Sequence, residues 1–210
     1  MKSLYLVEGK NDYNFLVNIL VQNYSIDPAK IKHYSNEGNK KTKKIAESTT
    51  IRSFLEDYSP YDVLIKSERG KKSLISLLSK VCIPTAGGAS ELNLTTMLDH
   101  DGKCPDLEFK SILDEVKENR PQLDFNRTLD TPLNGIGHAS SYRVLKVSGR
   151  KRVELNSVHF FCFYGSLEKV IRNKFGTSIE INEGIRKLAQ SLDGILFLPQ
   201  PLKYASLRAP

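Results

Sequence analysis

Leu4-Tyr5-Leu6-Val7-Glu8-Gly9-Lys10-Asn11-Asp12 is the stretch that decides the fold. Four apolar residues form a short run closed by a charge and a glycine, the pattern of a strand buried on both faces. Glu8 stands at the carboxyl end of that strand. Asp12 is placed to cap a following helix, whose buried face is expected from Tyr13, Leu16 or Val17, and Leu20 at helical spacing. A buried strand feeding directly into an amphipathic helix opens an α/β sheet.

The rest of the chain repeats this alternation. Asp62 to Ile65 reads as a second buried strand, and Leu74, Leu77, Leu78 and Val81 mark a helix by steps of three and four. Cys82 to Thr85 is expected as a third strand, closed by Gly87-Gly88. Thr95 to Leu98 is a fourth, ending in Asp99-His100-Asp101-Gly102. Pro105 suits a helix start, with Phe109, Ile112 or Leu113, and Val116 as its apolar stripe. Pro121 to Ala139, with its prolines, glycines and isolated charges, reads as a loop or linker. Tyr142 to Val147 and Arg152 to Leu155 flank Ser148-Gly149-Arg150-Lys151 as a hairpin, and Val158 to Tyr164 is the most apolar strand. A helix from Ser166 follows, and a last one uses Ile181, Ile185, Leu188 and Leu192. Asp27 to Thr50 is polar and lysine-rich with weak periodicity, and a helix is expected from about Thr50 to Asp57. The predicted fold is α/β: an open, mostly parallel sheet flanked by helices.

Composition narrows the classes. The chain has 210 residues, 40% apolar and 26% charged, with a net charge of +7, ordinary for a globular protein with a real core. No apolar run approaches the ~20 residues of a membrane helix, and the first residues are not a basic, apolar signal segment. Cys82, Cys104 and Cys162 are far apart and odd in number, so reduced thiols and a cytoplasmic location are expected rather than a disulfide framework or zinc ribbon. The positive balance points to an anionic partner, nucleic acid first.

In open α/β sheets, functional groups gather beyond the carboxyl ends of the strands. Glu8, Asp99 and Asp101 are placed there. Alternate residues of an extended segment point the same way, so Asp99 and Asp101 can converge, and Glu8 joins them if the first and fourth strands are neighbours. Carboxylates packed together repel unless a cation lies among them, and hard oxygen ligands suit Mg²⁺ or Mn²⁺. His100 is expected to point away, and Asp12 serves equally as a cap or as a participant. His33, His138 and His159 show no metal spacing.

The stretch ending Glu8-Gly9-Lys10-Asn11-Asp12 resembles the first motif of the Toprim domain, in the extended form of the OLD-family and ribosomal-RNA maturase nucleases. Met97-Leu98-Asp99-His100-Asp101-Gly102 resembles the second motif, and Thr85-Ala86-Gly87-Gly88 is similar to the glycine turn between them. The resemblance covers roughly the first two-thirds of the chain. It implies a Toprim-like domain over residues 1–175 with an insertion at about 31–81, and a C-terminal helical extension, 176–210, packed on it. It further implies that Glu8, Asp99 and Asp101 hold Mg²⁺ at a phosphodiester, with Glu168 in the position of a further acid of OLD-like enzymes. Lys103 stands where topoisomerases carry a third aspartate, and there is no room for a strand-passage apparatus.

The function expected on these grounds is a Mg²⁺-dependent phosphodiester enzyme on nucleic acid, a Toprim nuclease. A primase-like nucleotidyl transferase and a non-catalytic nucleic-acid or partner-binding module are the alternatives. Lys10 is expected at the phosphate, and the run Lys40, Lys41, Lys43 and Lys44 on the backbone, where a solvated loop is the competing reading. Lys66, Arg69, Lys71, Lys72 and the tip Arg150-Lys151-Arg152 share that ambiguity. The expected partners are DNA or RNA, with an ATPase subunit or a second copy of the chain besides, and no membrane.

Overall fold

The first strand, β1 (Lys2–Val7), is buried at all six residues, which requires a strand on each side and a helical layer on each face. The computed structural model of the chain describes residues 2–35, 50–56, 59–68, 70–82, 92–99, 104–133 and 135–192. In chain order, α1 (Lys10–Gln22), β2 (Ile31–Ser35), a helical turn α2 at residues 50–55, β3 (Val63–Ser67) and α3 (Lys71–Val81) follow β1. Next come β4 (Leu92–Asp99), α4 (Pro105–Asn119), β5 (Leu123–Leu133), β6 (Gly137–Ser148), β7 (Lys151–Phe163), α5 (Leu167–Phe175) and α6 (Ile181–Ser191).

The seven strands make one sheet in the order β2-β3-β1-β4-β7-β6-β5. β2, β3, β1, β4 and β7 run parallel, and β6 and β5 are added antiparallel. The protein is therefore α/β with a mostly parallel, mixed sheet. Alternation along β1 divides the core: Leu4 and Leu6 pack with α2, α3 and α4 on one face. Tyr5 and Val7 pack with α1, α5 and α6 on the other. α1 leaves β1 on one face while α4 leaves the adjacent β4 on the opposite face. This is a topological switch point, where the diverging connections leave a crevice at the carboxyl ends of the two strands.

Segment 31–81, expected as an insertion, supplies β2, β3 and their helices to this same sheet. Residues 83–90 of the expected Cys82–Thr85 strand and glycine turn lie outside the described residues; Cys82 follows the last turn of α3. Of the 176–210 extension, α6 packs against α1 and α5, and Asn23 Nδ2 donates to the carbonyls of Ala189 (3.0 Å) and Leu192 (2.8 Å).

One reading is corrected. Residues 121–139, expected as a loop, contain all of β5 and the start of β6. β5 is an edge strand, exposed at Asn126 through Asp130, so burial imposes no apolar alternation there. It also holds a bulge between Arg127 and Leu129, and Pro132 near its end, both tolerated at an edge. β7 likewise unites the expected Arg152–Leu155 and Val158–Tyr164 strands, its first half solvent-exposed and its second half buried. Among the described residues, no helix is long and apolar enough to cross a membrane.

Candidate functional site

The crevice between β1 and β4 collects carboxylates from four elements. Glu8 follows β1, whose Leu6 lies opposite Thr96 of β4. Asp99 ends β4 with Phe163 of β7 as its partner. The first turn of α1 brings Asp12, and the first turn of α5 brings Glu168. Placement follows from local chemistry. Gly9 is the N-cap of α1, and its N–H donates to Asp12 Oδ2 at 2.9 Å, which turns that carboxylate back toward the strand end. Ser166 caps α5 by accepting from the N–H of Lys169 at 3.2 Å, and the N–H of Leu167 donates to Asp99 Oδ1 at 3.3 Å. Asp99 thus lies at the positive end of a helix, where negative charge is favoured. Asn11 Nδ2 donates to Glu168 Oε1 at 2.6 Å and joins α1 to α5 across the crevice.

Electrostatics report the crowding. Burial, and then the charges of Asp99, Glu8 and Glu168, push the Asp12 carboxyl up from 3.8 to about 8. Burial also opposes the charged form of Glu168. Hydrogen bonds from Asn11, from its own backbone N–H and from Ser166, with Arg172 nearby, outweigh it and hold that carboxyl below its usual range.

Of the expected site residues, Glu8, Asp99 and Glu168 therefore share one electrostatic neighbourhood with Asp12. Asp101 lies outside the described residues, as do Lys40, Lys41, Lys43 and Lys44. Lys10 is exposed at the first position of α1, next to the crevice. Lys66 and Lys71 turn out to be structural. Lys66 is fully buried, pairs with Glu68 at 3.1 Å and lies over the Tyr34 ring. Lys71 pairs with the buried Glu108 and links α3 to α4.

A second group lies elsewhere and was not expected from the sequence. Asp106 of α4, Asp130 of β5 and His138 of β6 are, among the described residues, the one set of three ligand-type side chains whose ligand atoms all lie within 4.8 Å of one another. No three of Glu8, Asp12, Asp99 and Glu168 meet that limit. The second group, however, already has its countercharge. Arg127 pairs with Asp106 and, at 3.3 Å, with Asp130, and Asp130 Oδ1 accepts from His138 Nε2 (2.5 Å) and Ser140 Oγ (2.7 Å). These contacts hold the Asp130 carboxyl below its usual range although its partial burial works the other way. The signal for the group was present in Arg127, Asp130, His138 and Ser140, but only pairing of β5 with β6 reveals it, and that segment lacks strand periodicity.

No family model, curated protein or solved structure matches the chain. What the crevice can do follows from its own chemistry. It is a partly buried group of carboxylates at a switch point, a donor set of the kind hard divalent cations take.

Proposed function

We propose that the chain is a Mg²⁺- or Mn²⁺-dependent nuclease of Toprim type, acting on nucleic acid from the β1–β4 crevice. The observation that supports this is the convergence of Glu8, Asp12, Asp99 and Glu168 at a switch point, with Asp12 pushed up to about 8 by burial and its acidic neighbours. Such crowding costs stability, and a divalent cation offsets it. Oxygen donors alone, on separate rigid elements, suit Mg²⁺ or Mn²⁺ rather than a soft metal.

The cation would supply Lewis acidity, offsetting charge on the phosphate and making water nucleophilic at neutral pH. Glu8 and Asp99, with Asp101 two residues beyond Asp99 in sequence, would hold it. Asn11 fixes the rotamer of Glu168, and the N–H of Leu167 fixes that of Asp99. Lys10, exposed at the mouth, is available to a phosphate oxygen. In the reaction, the oxygen of water bonds to phosphorus and one P–O ester bond breaks. The departing oxygen takes a proton and leaves as an alcohol.

The test is incubation with labelled single- and double-stranded DNA and RNA, with Mg²⁺, Mn²⁺ or EDTA. Metal-dependent cleavage lost in Asp99→Ala supports the reading. Nucleotide-dependent strand extension would replace it with a nucleotidyl transferase, and absence of any product under every condition would leave a binding module.

A further inference from the structure

The first turns of α1 face two ways. Asp12 turns into the crevice, while Lys10, Tyr13, Asn14 and Val17, at steps of three and four, share the side of the helix away from it. There α1 is joined by α6. Asn182, Ile185 and Arg186 lie across a groove of about 250 Å³ from Tyr13, Asn14 and Val17. At the far end Asn23, just after α1, bonds to the carbonyls of Ala189 and Leu192, so the two helices run side by side in one direction. The groove thus lies near the start of both helices, one turn along α1 from Lys10.

Its walls carry the groups a nucleobase uses. Val17 and the buried Ile185 are apolar. The Tyr13 ring lies flat against His33, with centroids 3.7 Å apart and 14° between planes, and His33 Nε2 is 2.8 Å from Ser67 Oγ. An aromatic side chain held in place beforehand loses little entropy when a ligand stacks on it. Asn18 is already committed, its Nδ2 donating to the Asn14 carbonyl at 2.8 Å and its Oδ1 accepting from Gln22 at 2.9 Å. The Asn14 amide and the Arg186 guanidinium, by contrast, have no hydrogen bond or ion pair among the described residues, and Glu183, one turn from Arg186, pairs with Lys187 at 2.7 Å. Asn182 donates Nδ2 to Glu180 Oε1 and keeps its own Oδ1. A rigid ring, a planar cation and unused amide groups suit the flat faces and polar edge of a base. In a duplex those faces are stacked and that edge is paired, so the base must be unpaired.

Charge links the groove to the crevice. Lys10 and Arg186 are both exposed and stand along the way between them. From the acids over the start of α1 to the groove is about the width of a helix, ~10–12 Å, or about three nucleotides of a stacked strand at ~3.4 Å each. From this geometry we infer that the α1–α6 groove receives an unpaired base of a single-stranded nucleic acid, about three nucleotides from the phosphate at the strand-end acids. The inference rests on the proposed nuclease reading for its substrate class, and makes that substrate a single strand.

Binding is measured by fluorescence anisotropy in EDTA on a 12-nucleotide DNA strand, the matching RNA strand, the 12-base-pair duplex of each, and strands of the same length and sugar without bases. In DNA, RNA or both, the intact strand should bind at least ~5-fold more tightly than its duplex and its abasic form, the scale of one base stacked on protein. Asn14→Ala/Arg186→Ala removes two side chains without protein partners, so Tm in EDTA should stay within a few degrees. That variant should lose at least ~5-fold in affinity for the intact strand and no more than about twofold for the abasic one, since a contact with phosphate alone would cost both alike. Duplexes that bind as tightly as single strands, abasic strands that bind as tightly as intact ones, or equal losses on both in the variant each overturn the inference. Base-dependent binding that is lost in the variant, without cleavage by any form, would remove the nuclease reading and leave the groove standing. Metal-dependent cleavage lost in Asp99→Ala, with binding that ignores base and groove, does the reverse.

Discussion

Two acidic groups, one of two aspartates and a histidine and the other of two aspartates and two glutamates, differ in what lies among them. Asp106, Asp130 and His138 come within 4.8 Å of one another, and Arg127 lies among them as their countercharge. No three of Glu8, Asp12, Asp99 and Glu168 come that close, and burial, together with the charges of the other three, raises Asp12 to about 8. Proximity alone would favour the first group as a metal site. A cation entering the first must displace a guanidinium already paired there, whereas in the second the Asp12 carboxyl is raised by burial and by three acidic neighbours.

The largest expected effect is on activity. Initial rates of DNA cleavage with Mg²⁺ should fall at least ~10³-fold in Asp99→Ala, the scale of losing a metal and its electrostatic role. They should stay within about threefold in Asp130→Ala. A reversed pattern would transfer the active site to the second group.

Next comes metal binding itself. Mg²⁺ at 100 times its Kd should stabilise the protein by about 2.7 kcal/mol, a shift of roughly 5–10 °C in Tm for a chain this size. That shift should vanish in Glu8→Gln and Asp99→Asn and persist in Asp106→Asn. Persistence in the first two would dissociate the crevice from metal.

The two groups should also oppose each other in the dependence of stability on pH. Asp12 has a folded value raised from 3.8 to about 8, so its protonated form is favoured in the fold. Its contribution is fully present below about 3.8 and is lost as pH rises toward 8. Asp12→Asn should therefore raise Tm in EDTA at pH 8 by several degrees, with the bond from Gly9 still accepted by the amide oxygen, and flatten that loss. Asp130 is depressed, so its contribution is present above the ordinary carboxylate value and lost as pH falls below it. Asp130→Asn should remove this acid-side loss, by a smaller amount because the group is largely solvent-exposed. Equal pH profiles of the two variants would erase the distinction.

Partly buried His159 gives the background against which those acid limbs are read. Burial lowers its value from 6.5 to about 4, so it is neutral in the fold, and stability should drop as pH falls through that window. The slope is up to ~1.4 kcal/mol per pH unit. Urea midpoints at pH 4.5 and 7 for the protein and for His159→Gln check this; an identical drop in both would assign it to other groups.

Legibility in the sequence followed burial. β1, β3, β4 and the second half of β7 are visible as apolar runs, because strands covered on both faces are mostly apolar, the buried Lys66, Thr95 and Thr96 being exceptions. α1, α3, α4, α5 and α6 were visible by their stripes. β2 and β5 are the two edges of the sheet, where neither burial nor alternation is enforced, and they were missed. Pairing also decided the roles of the lysines. Lys66 reads as an exposed phosphate contact until Tyr34 on one neighbour and Glu68 beyond its own strand are seen to enclose it.

By itself, then, the sequence determined an α/β sheet and the placement of Glu8 and Asp99 at strand ends, because both follow from short-range patterns of apolar residues and their limits. Only the tertiary structure decided that β1 and β4 are neighbours with diverging connections, that Asp12 and Glu168 turn into the same crevice, and that Arg127 neutralises the other acids. These are contacts between residues distant along the chain, and the free energy of a charge depends on what surrounds it in space rather than on its neighbours in sequence.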